Sequence, residues 1–159
     1  MDLSAELTHT LALVVEEIAG TAGRLLAELE SERDALLAGD DAALDAAGAA
    51  KDAHVRQLEM LEAERVHLAA QITGGGFGLA AMQAGLARDP ATLARWRDTL
   101  ELLARCRELN RQNGAVVDVK LRQVRQALHL LTGESPEPGL YGPRGDSAAT
   151  RSPHTLAKA

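Results

Sequence analysis

Apolar residues recur at alternating steps of three and four through most of this chain, a spacing that gathers them on one face of a helix. The longest such stripe is Leu93, Trp96, Leu100, Leu103, Arg107, Asn110, Gly114, Val117, Leu121, Val124, Leu128 and Leu131, and its alternation never slips. It predicts a helix over about 90–132. Leu102, Cys106 and Leu109 add a second apolar shoulder. A stripe of Leu44, Ala47, Lys51, His54, Leu58, Leu61, Arg65, Leu68 and Ile72, widened by Val55, predicts a helix over about 41–72. The first helix, about 2–37, carries Leu7, Leu11, Val14, Ile18, Ala22, Leu25, Leu29 and Leu36. These follow an 11-residue repeat with Arg33 as its polar exception, and about 3.67 residues per turn keeps a helix nearly straight.

The stripes are separated by residues that stop and start helices. In "AGDD", Gly39 suits a helix end and Asp40 or Asp41 a following N-cap. So short a link makes antiparallel neighbours. "TGGGFG", Thr73 to Gly78, is a glycine loop, and Leu79 to Leu86 suits one short helix. Asp89-Pro90 is a strong start signal, an N-cap followed by proline in the first turn. The expected fold is all-α: an antiparallel up-down-up bundle of three long, coiled-coil-like helices over 1–132. The segment 133–159, "GESPEPGLYGPRGDSAATRSPHTLAKA", holds four of the five prolines and little that could offset its ordering entropy. It reads as a disordered tail.

Composition agrees with helix-on-helix packing, since 46% of residues are apolar but only 2% aromatic. Charge is uneven. Residues 1–37 carry eight acids and two bases, whereas 91–132 carry four acids and eight bases. A basic last helix beside an acidic first one reads as complementary packing. The net charge of −6 and the lack of an aromatic platform speak against nucleic acid. No signal-peptide pattern opens the chain and no run approaches the ~18 apolar residues of a membrane span, so a cytoplasmic protein is expected.

Little suggests catalysis. His54, His67 and His129 are scattered, with no metal-ligand spacing. Cys106 is alone, and Ser152 and His154 complete no nucleophile arrangement with it. The glycine loop lacks the Gly-Lys-Ser/Thr of a phosphate-binding loop. No cofactor or metal is expected, and the acids of the first helix read as a solvated face. Lys51 and Arg65, inside an apolar stripe, are expected to snorkel from its edge.

The cluster "LNRQNG", Leu109 to Gly114, breaks the longest stripe. Gly114 costs a helix interior about 1 kcal/mol relative to alanine. Asn110 on the stripe would fix register through a side-chain hydrogen bond, and Gly114 would let a neighbouring backbone approach. Asn113 lies one position off the stripe.

This cluster, the long heptad helix bearing it, the downstream "LYGPRG" and the second helix "GDDAALDAAGAAKDAHVRQLEMLEAERVHL" together resemble the FlgN-type flagellar export chaperones. The resemblance covers nearly the whole chain. It implies a cytosolic, non-enzymatic chaperone that binds the C-terminal helical ends of the hook–filament junction proteins FlgK and FlgL and delivers them to the export gate protein FlhA. Carried over to this sequence, client binding falls on Asn110, Asn113, Gly114, Val117, Leu121, Val124, Leu128 and Leu131, and gate docking on Leu140, Tyr141 and Gly142. Without the resemblance, the same heptads suit a structural coiled-coil adaptor, and a second copy of the chain could cover an exposed seam as a homodimer.

Overall fold

A computed structural model describes residues 3–76 and 78–132. Among the described residues the elements are four helices: α1 (Leu3–Ala38), α2 (Asp41–Thr73), α3 (Leu79–Gly85) and α4 (Pro90–Thr132). The chain divides into two compact units, 1–117 and 118–159. The first holds α1, α2, α3 and α4 up to Val117. Of the second, 118–132 is described, all of it helical. The tail expected from 133 lies outside the described residues.

Local chemistry sets the helix ends. Gly39 takes a positive φ of 70°, the left-handed conformation that ends α1 without a side-chain clash. Asp40 then caps α2, accepting from the Ala43 backbone N–H at 3.0 Å. Gly74 closes α2 the same way, with φ 72° and its N–H on the Ala70 carbonyl. Asp89 caps α4, accepting from the Thr92 N–H at 3.0 Å and the Thr92 hydroxyl at 2.6 Å. These bonds hold the Asp89 carboxyl below the usual 3.8.

The buried stripe of α1 is Leu11, Val15, Ile18, Ala22, Leu25, Leu29, Glu32 and Leu36. It steps four, three, four, three without a break. The apolar members of the expected 11-residue repeat from Leu11 to Leu36 are all buried as well, and the heptad adds Val15 and takes Glu32 in place of Arg33. Val14 is buried beside the heptad, whereas Arg33 is exposed and donates to Gln112 Oε1.

Cross-helix bonds give the running directions. Between α1 and α2, Glu17 accepts from Gln57 and Glu32 from Lys51, so one number falls as the other rises. Between α1 and α4, Arg95 donates to Glu16 and Asn113 to Glu32, so the numbers rise together. The main core joins Leu11, Val14, Val15 and Ile18 of α1 to Leu68 and Ala69 of α2, to Ala81 and Met82 of α3 with Leu86, and to Trp96 of α4. Short α3 plugs this part of the assembly. A smaller cluster of Leu25, Leu29 and Cys106 lies further along α1 and α4, with Leu26, Leu58 and Leu109 against it.

Two expectations about α2 change. Arg65 does not snorkel: it is 4% exposed, grips Glu62 with Nε and Nη2 at 2.7 and 2.6 Å, and lays its guanidinium 4.8 Å from the Trp96 ring centroid. A planar cation that stacks and forks at once is at home where an aliphatic ammonium is not. Lys51 stays at the edge but is tied to Glu32 at 2.6 Å. The acids of α1 are therefore not all a solvated face, since Glu32 is 8% exposed.

Candidate functional site

The candidate residues fall into three sets. The first is a polar node inside the first unit. Asn113, 2% exposed, donates from Nδ2 to the Leu29 carbonyl and to Glu32 Oε2, both at 2.9 Å. Glu32 Oε1 accepts from Lys51 Nζ, which also reaches Asn110 Oδ1 at 3.5 Å. One carboxylate thus ties α1 to α2 and α4. Charge-assisted bonds of this kind exceed neutral ones, and the paired ammonium offsets the cost of burying the acid. The Asn113 Oδ1 atom is buried without a hydrogen-bond partner.

The node corrects the reading of the asparagine cluster. Asn113 is the buried asparagine that bonds across to α1, whereas Asn110 lies exposed at the rim, where it accepts from Lys51 of α2. Gly114 admits no neighbouring backbone: a Cβ built there meets nothing within 4 Å. The cause is a one-position shift of the covered face. Beyond Trp96 the buried residues of α4 are Thr99, Cys106 and Asn113, seven apart, while Leu100, Arg107, Asn110 and Gly114 are exposed. Thr99 can be buried because its hydroxyl donates to the Arg95 carbonyl at 2.7 Å. The Cys106 thiol approaches the Ala22 carbonyl at 3.6 Å, and burial raises its pKa, which makes it a packing residue and a poor nucleophile. The expected shoulder of Leu102, Cys106 and Leu109 carried the signal for this face. Thr99 and Asn113 did not, because nothing in an apolar pattern marks a polar residue as buried.

Beside the node an open trough of about 450 Å³ runs between the helices. Leu25 and Leu29 of α1 with Leu103 and Cys106 of α4 line its apolar part, Val55 stands on the α2 side, and Lys51, Asp52, Arg107 and Asn110 supply its polar edges. It exists because the first half of α2 brings little bulk: over 41–64 its buried residue is Ala47.

The third set is the exposed apolar face near the end of α4. Val117, in the first unit, is 38% exposed. In the second unit the exposures are 47% for Leu121, 55% for Val124, 53% for Leu128 and 84% for Leu131. A few isolated leucines at a surface are ordinary, but a heptad of them on one face is a binding signal. Leu140, Tyr141 and Gly142 lie outside the described residues.

Among the described residues, no group of three or more His, Cys, Asp or Glu is placed to hold a metal, and no helix is long and apolar enough to cross a membrane. No curated protein and no solved structure matches the chain. The FlgN protein family matches residues 1–149, and the chain belongs to that family of flagellar export chaperones, which is not an enzyme family.

Proposed function

We propose that this chain is a cytoplasmic chaperone of flagellar type III export that captures the C-terminal helical segments of the hook–filament junction proteins FlgK and FlgL. Capture keeps those segments from associating early, and handover to the export gate protein FlhA follows. The reading takes α1, α2 and α4 as an up-down-up bundle over 1–132, with 133–159 as its docking tail.

The observation that carries it is the exposure of Leu121, Val124, Leu128 and Leu131 at heptad spacing. An amphipathic client helix would lay its own i, i+3, i+4 and i+7 anchors on that face. The trough edged by Asn110 and Arg107 offers a second apolar surface of the kind a client helix needs. Arg111 is engaged already by Glu108 at 2.7 Å, so contact with acids on a client falls to Arg122 and Arg125. Asn113 serves the internal node and acts on clients only by holding α4 in place.

Co-expression with C-terminal segments of FlgK and FlgL, followed by pull-down, tests the reading. A complex with either segment, lost on Leu121→Glu plus Leu128→Glu, is the expected result. No complex with either would favour a structural coiled-coil adaptor, which needs the same heptads but no client. Tyr141→Ala is expected to spare client capture and weaken FlhA binding; equal FlhA affinity of both forms would remove Tyr141 from the handover.

A further inference from the structure

We infer that the segment 133–142 folds back along the exposed leucine face of 118–132, where Leu140 and Tyr141 cover it until a client helix displaces them. The inference rests on the reading of that face as client-binding and of Tyr141 as gate-docking, and it adds a link between the two.

Face and segment belong to the same unit, 118–159. The bare stripe runs to the end of α4, where Leu130 and Leu131 are 83% and 84% exposed, and the segment starts directly after Thr132. In "GESPEPGLYG", Pro136 and Pro138 suit a chain reversal and oppose a continued helix. From Thr132 to Leu140 the chain spans at most roughly 28 Å. A reversal through about four residues leaves about four more, or roughly 13 Å. Leu121 to Leu131 takes up roughly 15 Å of helix. Leu140 and Tyr141 therefore come level with Val124 and Leu128. No other adjacent pair of bulky apolar residues occurs in 133–159. Gly139 and Gly142 bracket the pair, which frees the backbone to turn both side chains to the helix.

The tether also chooses this occupant over a second copy. A linker of about ten residues holds the pair beside the face at an effective concentration in the millimolar range. Two copies meeting on Leu121 to Leu131 would share eleven residues a side, fewer than two heptads and too little for a standing dimer. Two covered side chains set against the ordering of about ten residues leave closed and open forms near balance. A client helix with several anchors therefore wins the face, and its arrival frees Tyr141. By linkage, client and gate each raise the other's affinity by the same factor.

The test compares the full-length chain, methyl-labelled at leucine and valine, with its Leu140→Ser, Tyr141→Ser double variant by NMR. Tyr141 is the chain's one tyrosine, so its ring marks the contact. The parent chain is expected to show NOEs from that ring to the Val124 and Leu128 methyls. The double variant should move those methyl signals and leave the Leu11 and Val15 methyls in place. The parent shifts should be the same at about 20 and about 500 μM protein, as a contact within one chain requires. In titration calorimetry the variant should bind a FlgK C-terminal segment roughly threefold tighter, since its competitor is gone. Missing NOEs with unmoved Val124 and Leu128 methyls overturn the inference. So do concentration-dependent shifts with a dimer in sedimentation, which make a second copy the occupant. Equal or weaker binding of the segment by the variant removes the displacement step. The expected NOEs and shifts without capture of FlgK or FlgL segments sink the client reading alone. Capture of those segments with no NOEs sinks this inference alone.

Discussion

The two buried clusters of the first unit solve the same packing problem with different materials. Around Leu11, Val15, Ile18, Met82, Leu86 and Trp96 the helices are joined by bulky apolar side chains, with α3 closing what three helices would leave open. Around Leu25, Leu29 and Cys106 the apolar set is small, α2 contributes the half-buried Leu58, and a carboxylate, an ammonium and an amide hold the helices. The first arrangement yields strength without directional bonds. The second yields register at lower strength and leaves a trough open beside it. An apolar cluster tolerates small slides between helices, whereas a buried amide that meets both a carbonyl and a carboxylate fits one register only.

Core truncations should separate the two most widely. Leu11→Ala, in the sealed cluster, should destabilise by about 4 kcal/mol, because the void cannot collapse. Leu29→Ala should cost closer to about 2–3 kcal/mol, since the neighbouring trough lets water or side chains into the space. Equal losses in urea unfolding would dissolve the distinction. Next comes Asn113→Leu, which strands the Glu32 and Leu29 acceptors and should cost about 1–3 kcal/mol. If the node sets register, a cysteine-pair cross-link between α1 and α4 should report mixed alignments in that variant while Leu11→Ala keeps one.

Removing the α4 cap with Asp89→Ala should cost about 1 kcal/mol. Because the folded-state pKa of Asp89 lies below 3.8, this contribution is present above the unfolded pKa and is lost as pH falls through the folded value. Asp89→Asn keeps the capping oxygen and should flatten the stability loss below about pH 4. Arg111 and Gln112 hold the exposed Glu108 carboxyl down at about 2. Its NMR titration should return toward 4.5 in Arg111→Ala, with almost no change in stability. A similarly small effect on folding is expected from Leu128→Glu, within about 0.5 kcal/mol, since this residue is 53% exposed. A large loss there would mean that the face is covered within the chain.

Much of the helical layout was legible in the residues. Gly39, Asp40 and Asp89 act through their own backbone and side-chain preferences, which local sequence carries intact. The α2 stripe from Leu44 to Ile72 also reads correctly as the inward side, with Ala47, Arg65 and Leu68 buried along it, though Val55, expected to widen it, is exposed. The family was legible too, in the Asn-Gly cluster and the downstream Tyr-Gly-Pro. The role of Asn113 was not. Neither was the burial of Glu32, nor the stacking of Arg65 on Trp96, since each depends on a partner far away in the chain.

The sequence by itself determined that this chain is helical, where those helices start and stop, and which leucines line up. These follow from turn chemistry and from a 3.6-residue period, both local. Only the tertiary structure decided which of two adjacent stripes on α4 is covered as far as Val117, and that Leu121 to Leu131 is left bare. A period fixes the angle between side chains on one helix, but a neighbour must arrive before any face becomes the inside.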